Sequence, residues 1–72
     1  MQKQNKISLY IGRELYSARR RSGVTQRELA YKAGIDSNTY AKIERGDQTP
    51  SLETLEKIVK ALGVKSSEVL PF

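Results

Sequence analysis

The feature that most restricts how this chain can fold is the two-residue link Gly34-Ile35, which separates two segments with helical start and stop signals. The upstream segment opens with Thr25, and Glu28 follows three residues later, which is the spacing of a capping box. Gly34 can end that helix with a positive φ, and Asp36 can cap the next helix directly afterwards. Because the link is so short, the chain must turn sharply and the two helices must pack at a steep angle.

Similar signals divide the remainder of the chain into further short helices, whereas no segment shows the sustained alternation of a strand. Ser8 and Ser51 are the expected N-caps of the first and fourth helices. The predicted helices cover about residues 8–21, 25–33, 37–45 and 51–62, and a short fifth helical turn is expected after Ser66. We therefore expect an all-α fold in which residues 1–6 form a flexible N-terminal arm and residues 7–72 form a single domain.

Apolar residues recur at helical spacing in these segments and define the expected core. The clearest amphipathic stripe lies in the fourth predicted helix. Near the short link, Ala30 and Gly34 are small enough to let the two helix backbones approach closely. The predicted inward-facing residues are Ile11, Leu15, Ala18, Leu29, Ala30, Ala33, Ile35, Tyr40, Ile43, Leu52, Leu55, Ile58, Val59 and Leu62.

The composition argues against most classes of enzyme. The chain has no cysteine, so it can form neither a disulfide framework nor a thiolate metal site. It also has no histidine, which is the commonest general base and the commonest metal ligand. Its serines therefore have no imidazole to activate them as nucleophiles. We expect a protein that is not an enzyme and that uses no cofactor, no metal and no small-molecule ligand.

The formal net charge of +5 favours a polyanion as the partner, either a nucleic acid or an anionic membrane surface. The charge is uneven, with a net +6 on residues 1–32 and −1 on residues 33–72. A membrane is the weaker alternative, because the apolar stripe of the fourth helix also carries Glu53 and Glu56. No apolar run approaches the ~20 residues that a membrane span needs, so we expect a soluble cytoplasmic protein.

The stretch TQRELAYKAGIDSNTYAKIERG, followed by TPSLETLEKIVKALGV, closely resembles the phage repressor/Cro-type helix-turn-helix regulators, also called the XRE family. The upstream IGRELYSARRRSGV matches the first helix of that family, so the resemblance covers about residues 7–70. The resemblance implies a compact five-helix, lambda-repressor-like domain with its helix-turn-helix at about residues 25–45. It also implies a sequence-specific transcriptional regulator that binds double-stranded DNA as a dimer and acts by occupying an operator.

The resemblance further implies that the helix over about residues 37–45 enters the major groove with its N-terminus first. On this chain the implied base contacts fall on Ser37, Asn38 and Lys42, with Thr39 as an additional candidate. Asparagine can pair with adenine and lysine can donate to guanine, so we expect both an adenine and a guanine in the half-site.

Two groups of phosphate contacts follow from the same resemblance. The first group surrounds Gln26 at the start of the second helix, where free amides and the helix dipole favour an anion. The second group surrounds the turn into the fourth helix. The implied phosphate-contacting residues are Thr25, Gln26, Arg27, Arg45, Gln48, Thr49 and Ser51. Such contacts position a protein on the duplex and do not read its sequence.

The resemblance assigns Arg19 to an internal ion pair with Glu44 rather than to a DNA contact. Two core positions depart from the usual family pattern: Tyr40 stands where a branched aliphatic residue is more usual, and Ala18 stands where leucine is more usual. We interpret the two departures as compensating, with the Tyr40 ring filling the space left by Ala18.

The C-terminal residues Val69, Leu70 and Phe72 are the candidates for a homodimer interface, because a dimer needs an exposed apolar patch. One alternative function stays open beside operator binding. The same scaffold could serve as an antitoxin or as a protein-interaction adaptor, and such a protein would co-purify with its partner.

Overall fold

The computed structural model describes residues 5–63, and this part of the chain consists of four α-helices without strands. The helices are α1 (Lys6–Ser22), α2 (Gln26–Ala33), α3 (Ser37–Arg45) and α4 (Leu52–Leu62). The all-α prediction is confirmed, with four helices in the described residues rather than five. The expected fifth helical turn and the candidate dimer residues Val69, Leu70 and Phe72 lie outside the described residues. No helix in the described range is long and apolar enough to cross a bilayer.

The link between α2 and α3 is built as the sequence predicts. Thr25 and Glu28 form both hydrogen bonds of the capping box, at 3.0 and 2.8 Å. Gly34 ends α2 in the left-handed region with φ 74°, and Asp36 caps α3. A Cβ on Gly34 would meet no atom within 4 Å, so the prediction that Gly34 allows a close backbone approach is wrong. Its role is the positive φ, which lets the chain reverse within two residues.

The start of α1 differs from the prediction. Asn5, and not Ser8, is the N-cap, because the Asn5 side chain accepts a hydrogen bond from the Ser8 amide at 2.8 Å. The Ser8 side chain is buried, and its hydroxyl is hydrogen-bonded to the Thr49 hydroxyl in the loop before α4. Ser8 is therefore committed to a tertiary contact, and the asparagine three residues earlier satisfies the free amide.

The core lies between all four helices and contains most of the residues expected there. Tyr40 is completely buried, as the inward orientation predicted for it requires. Leu52 is the exception, because its side chain is 77% exposed. It is the first residue of α4, and its neighbours Ser51 and Glu53 are also exposed. The buried apolar residues are Ile11, Leu15, Ala18, Leu29, Ala30, Ala33, Tyr40, Ile43, Leu55, Ile58 and Val59.

The backbones of α1 and α3 approach each other closely at Gly12. A Cβ added to Gly12 would lie 2.4 Å from the carbonyl oxygen of Glu44 and 2.7 Å from that of Ile43. Neither oxygen can move independently, because both belong to the backbone of α3. Because Gly12 has no side chain, α1 can come this near to α3, the helix that carries the candidate base contacts.

Substituting Gly12→Ala tests this contact. We expect the added methyl group to push α1 away from α3 and to lower the free energy of unfolding by about 1–3 kcal/mol. In an unhindered helix the same substitution would stabilise the protein by about 1 kcal/mol. Urea denaturation measures the difference, with Ser17→Ala on the same helix as a control that adds no atoms. A Gly12→Ala protein as stable as the wild type would contradict the close approach.

Candidate nucleic-acid interface

The first turn of α3 is held in place by Asp36. One carboxylate oxygen of Asp36 accepts hydrogen bonds from the backbone amides of Asn38 and Thr39, at 2.9 and 3.2 Å. These bonds satisfy two of the amides that every helix start leaves without an intrahelical partner. They also fix the backbone from which Ser37 and Asn38 project.

The side chains of Asn38 and Lys42 form the most accessible pair among the predicted base contacts. Both residues are exposed and lie one turn apart on α3. Neither side chain makes a hydrogen bond within residues 5–63, so both keep their full donor and acceptor capacity for a ligand. Ser37 and Thr39 are half-buried, which restricts their reach.

The phosphate-contact candidates at the start of α2 surround an open depression between α1 and α2. Thr25, Gln26 and Arg27 line it together with Arg19 and Arg20 from the end of α1. Arg27 is exposed, whereas the Thr25 side chain is used in the capping box. The depression therefore combines positive charge with a helix N-terminus, which is an arrangement that suits an anion.

The second group of phosphate-contact candidates lies around the turn between α3 and α4, and most of its side chains have internal partners. Arg45 forms an ion pair with Asp47 at 3.0 Å. The Thr49 hydroxyl is hydrogen-bonded to Ser8, and Ser51 caps α4 by accepting from the amide of Thr54 at 3.1 Å. Gln48 is also exposed in this turn. The residues of this group therefore lie together on one turn, but most of their side chains already form hydrogen bonds or ion pairs within the protein.

Behind these candidates, one carboxylate joins three helices. Glu44 of α3 accepts hydrogen bonds from Arg19 of α1, from Gln26 of α2 and from Tyr40 of α3, and we call these four residues the Glu44 cluster. Arg19 donates through Nε at 2.7 Å and through Nη2 at 3.1 Å, so the predicted ion pair is formed and is bidentate. The Gln26 amide donates at 2.9 Å and the Tyr40 hydroxyl at 2.6 Å.

The cluster is deeply placed, with 4% of the Glu44 side chain and 11% of the Arg19 side chain exposed. Burial alone would raise the pKa of Glu44, but the hydrogen bonds from Arg19, Tyr40 and Gln26 lower that pKa below its ordinary value. The hydrogen bond to Glu44 raises the pKa of Arg19. Burial, together with the bond to Glu44, raises the pKa of Tyr40 well above its ordinary value. The carboxylate is therefore ionised and the phenol neutral at pH 7.

Two members of the Glu44 cluster have contacts that the sequence analysis missed. Gln26 was predicted only as a phosphate contact, and Tyr40 only as a space-filling core residue. The signal for Tyr40 was present, because Tyr40 and Glu44 are four residues apart and must share one face of the helix. No local signal connects Gln26 to Glu44, since 18 residues separate them in the chain.

Comparisons with known proteins agree with this architecture. The family profile described as helix-turn-helix matches residues 15–69. Control protein C.BamHI of Bacillus amyloliquefaciens is 36% identical over 69 residues, which span 94% of this chain and 85% of that protein. The immunity repressor protein of Bacillus phage phi105 is 37% identical over 60 residues, which span 83% of this chain and 42% of that repressor. The crystal structure of the restriction-modification controller protein C.AhdI from Aeromonas hydrophila superposes with a TM-score of 0.85 at 28% identity, over 88% of this chain and 96% of that one.

Substituting Arg19→Ala should destabilise the fold strongly. The change leaves the buried Glu44 carboxylate without its counter-charge, which typically costs roughly 3–5 kcal/mol. Arg20→Ala is the matched control, because Arg20 is exposed and donates only to the exposed hydroxyl of Tyr16. We expect a change within about 0.5 kcal/mol for this control. Equal unfolding midpoints for the two variants in urea would refute the structural role of Arg19.

The lowered pKa of Glu44 predicts a loss of stability in acid. Because its pKa is lower in the folded than in the unfolded chain, its stabilising effect is complete above the unfolded value of about 4.3. That effect is lost as the pH falls from there through the folded value. Urea denaturation between pH 7 and pH 3 should show a smaller decrease for Glu44→Gln than for the wild type. Glu53→Gln, at an exposed site on α4, should keep the wild-type decrease. If Glu44→Gln kept it as well, the acid sensitivity would come from other groups.

Proposed function

The chain belongs to the helix-turn-helix family of DNA-binding transcriptional regulators, and we propose that it recognises a specific operator as a homodimer. The observation that carries this proposal is the pair of exposed side chains, Asn38 and Lys42, on the face of α3 opposite its buried residues. Their polar groups have no partner within residues 5–63, whereas Tyr40 and Ile43 of the same helix are completely buried. Such a helix can be inserted into the major groove without disturbing the core.

In the proposed complex, Asn38 and Lys42 read the bases. The Asn38 amide can donate to N7 of adenine and accept from its N6 amino group. The Lys42 ammonium can donate to O6 and N7 of guanine. Ser37 and Thr39 are half-buried at the base of the same turn and would add shorter contacts. Each good contact of this kind is worth about 1–3 kcal/mol of discrimination against a wrong base.

The two groups of phosphate-contact candidates would fix the position of α3 in the groove. Gln26 and Arg27 lie at the start of α2, and Arg45 and Gln48 lie at the turn after α3. We propose that these residues hold the backbone at both sides of the reading helix, supported by the amides and dipole of the helix starts. In this arrangement Arg45 would exchange part of its interaction with Asp47 for a phosphate.

Operator occupancy is the proposed mode of regulation, and it needs no catalytic group. A homodimer would place two copies of α3 in successive major grooves on one side of the duplex, about one helical turn apart. The interface is proposed to include Val69, Leu70 and Phe72. Binding to chromosomal DNA would place the protein in the cytoplasm, at the nucleoid.

Selection of bound sequences from a random duplex pool tests the proposal. We expect enrichment of an inverted repeat with half-sites centred about 10 base pairs apart and containing both an A and a G. The selected operator should bind at least about 10³-fold better than random DNA. Since C.AhdI is a restriction-modification controller by name, DNA upstream of restriction and modification genes is a suitable genomic comparison.

Three variants assign the roles within this experiment. Asn38→Ala and Lys42→Ala should each relax selection at one base position of the half-site, whereas Gln26→Ala should weaken all duplexes about equally. Lys57→Ala removes an exposed charge on α4 and should leave the selected sequence unchanged. An unchanged operator preference in both α3 variants would contradict the assignment of α3 as the reading helix.

A further inference from the structure

We propose that Tyr40 is a positioning residue for DNA binding, whose hydroxyl acts through the Glu44 carboxylate to direct an N–H group of the Gln26 side chain toward a DNA phosphate. The proposal rests on the proposed function, because it takes Gln26 to be a phosphate contact. It adds a completely buried residue, which cannot touch DNA, to the machinery that determines affinity.

The first step is the orientation of the Gln26 amide. An ionised carboxylate can only accept hydrogen bonds, so the side chain of Gln26 must present its nitrogen, and not its oxygen, to Glu44. The distance between Gln26 Nε2 and Glu44 Oε1 is 2.9 Å. The amide nitrogen carries two hydrogen atoms, and only one is used in this bond. The other remains available for a phosphate oxygen at the start of α2.

The second step is the orientation of the carboxylate itself. Each oxygen of Glu44 accepts two hydrogen bonds: Oε1 accepts from Arg19 and Gln26, and Oε2 accepts from Arg19 and Tyr40. The Tyr40 bond is the only one of the four that comes from the same helix. With 4% of the Glu44 side chain exposed, water has little access to replace a donor that is removed. Without the Tyr40 hydroxyl, Oε2 accepts a hydrogen bond only from Arg19 Nε. The carboxylate group can then rotate about the bond that joins it to the side chain and release the Gln26 amide.

The third step separates the hydroxyl from the ring. The ring of Tyr40 packs in the core among apolar side chains, and phenylalanine would preserve that packing. The hydroxyl donates to Glu44 at 2.6 Å, and the same carboxylate accepts from Gln26 at the start of α2. A Tyr40→Phe variant therefore removes the positioning bond without creating a cavity. Tyr40→Ile, which also lacks the hydroxyl, provides a second variant with a different core shape.

A double-mutant cycle with Tyr40→Phe and Gln26→Ala tests the proposal by DNA affinity. We expect Tyr40→Phe to weaken binding of the selected operator and of an unrelated duplex by the same factor. That factor should be about threefold to tenfold, as for the loss of one ordinary hydrogen bond. In a protein that already carries Gln26→Ala, Tyr40→Phe should cause no further loss. Tyr10→Phe removes a phenolic hydroxyl outside the Glu44 cluster and should leave the affinity unchanged.

The orientation of Gln26 can also be read without DNA. In ¹⁵N-resolved NMR spectra, the side-chain amide resonances of Gln26 should shift toward the values of a solvated glutamine in Tyr40→Phe and in Tyr40→Ile. They should remain in place in Tyr10→Phe. All measurements are made at a temperature at which circular dichroism shows every variant to be folded.

The outcomes distinguish this inference from the function on which it rests. If Gln26→Ala leaves the affinity for every duplex unchanged, the proposed phosphate contact fails and the inference fails with it. If Gln26→Ala weakens binding but Tyr40→Phe does not, only the role of Tyr40 is overturned. The role is also overturned if Tyr40→Phe weakens binding equally in the presence and absence of Gln26, or if the Gln26 resonances do not move.

Discussion

The buried carboxylate of Glu44 holds α1, α2 and α3 together through hydrogen bonds. An ionised group with little exposure to water is costly unless hydrogen-bond donors surround it. Arg19 supplies two such donors to Glu44, and Gln26 and Tyr40 supply one each. These donors come from three different helices, so the cost is offset only when α1, α2 and α3 occupy one relative arrangement. A core of aliphatic side chains alone would tolerate small rotations of α3. The hydrogen bonds to this carboxylate do not tolerate such rotations. A thin core can therefore still hold the outer face of α3 in one orientation.

The close approach at Gly12 and the Glu44 cluster act on the same helix from two directions. Gly12 limits how near the backbone of α1 can come to that of α3, while Arg19, two turns further along α1, pulls the two helices together. Together they determine both the spacing and the rotation of α3. Asn38 and Lys42 project from the opposite face, so the positions that we propose for them over a duplex follow from contacts that lie entirely inside the fold.

The sequence was sufficient where the determinants are local and insufficient where they are tertiary. The capping box at Thr25 and the positive φ of Gly34 each depend on a few neighbouring residues, and the bounds of α2 and α3 were therefore predictable. By contrast, Ser8 was predicted to cap α1, whereas Asn5 is the cap and the Ser8 hydroxyl bonds to Thr49, 41 residues away. The close approach of Gly12 has the same character, because a glycine in a helix does not reveal which backbone lies against it. The resemblance to a known family predicted the Arg19–Glu44 pair. It did not predict the hydrogen bond of the Tyr40 hydroxyl, because a tyrosine at this position departs from the usual family pattern.

The structure also changes how the positive charge of the chain should be understood. Part of the positive charge of residues 1–32, which amounts to a net +6, is not available to DNA, because Arg19 is neutralised inside the Glu44 cluster, whereas Arg20 donates to the neutral Tyr16 hydroxyl and keeps its charge. The candidate base contacts lie in residues 33–72, whose net charge is −1. In the proposed complex, long-range attraction and sequence recognition therefore depend on different parts of the chain. Because the internal cluster links these two parts through Gln26, the proposed complex implies that a change in the core can alter affinity for all DNA while the choice of operator, which we assign to Asn38 and Lys42, stays the same.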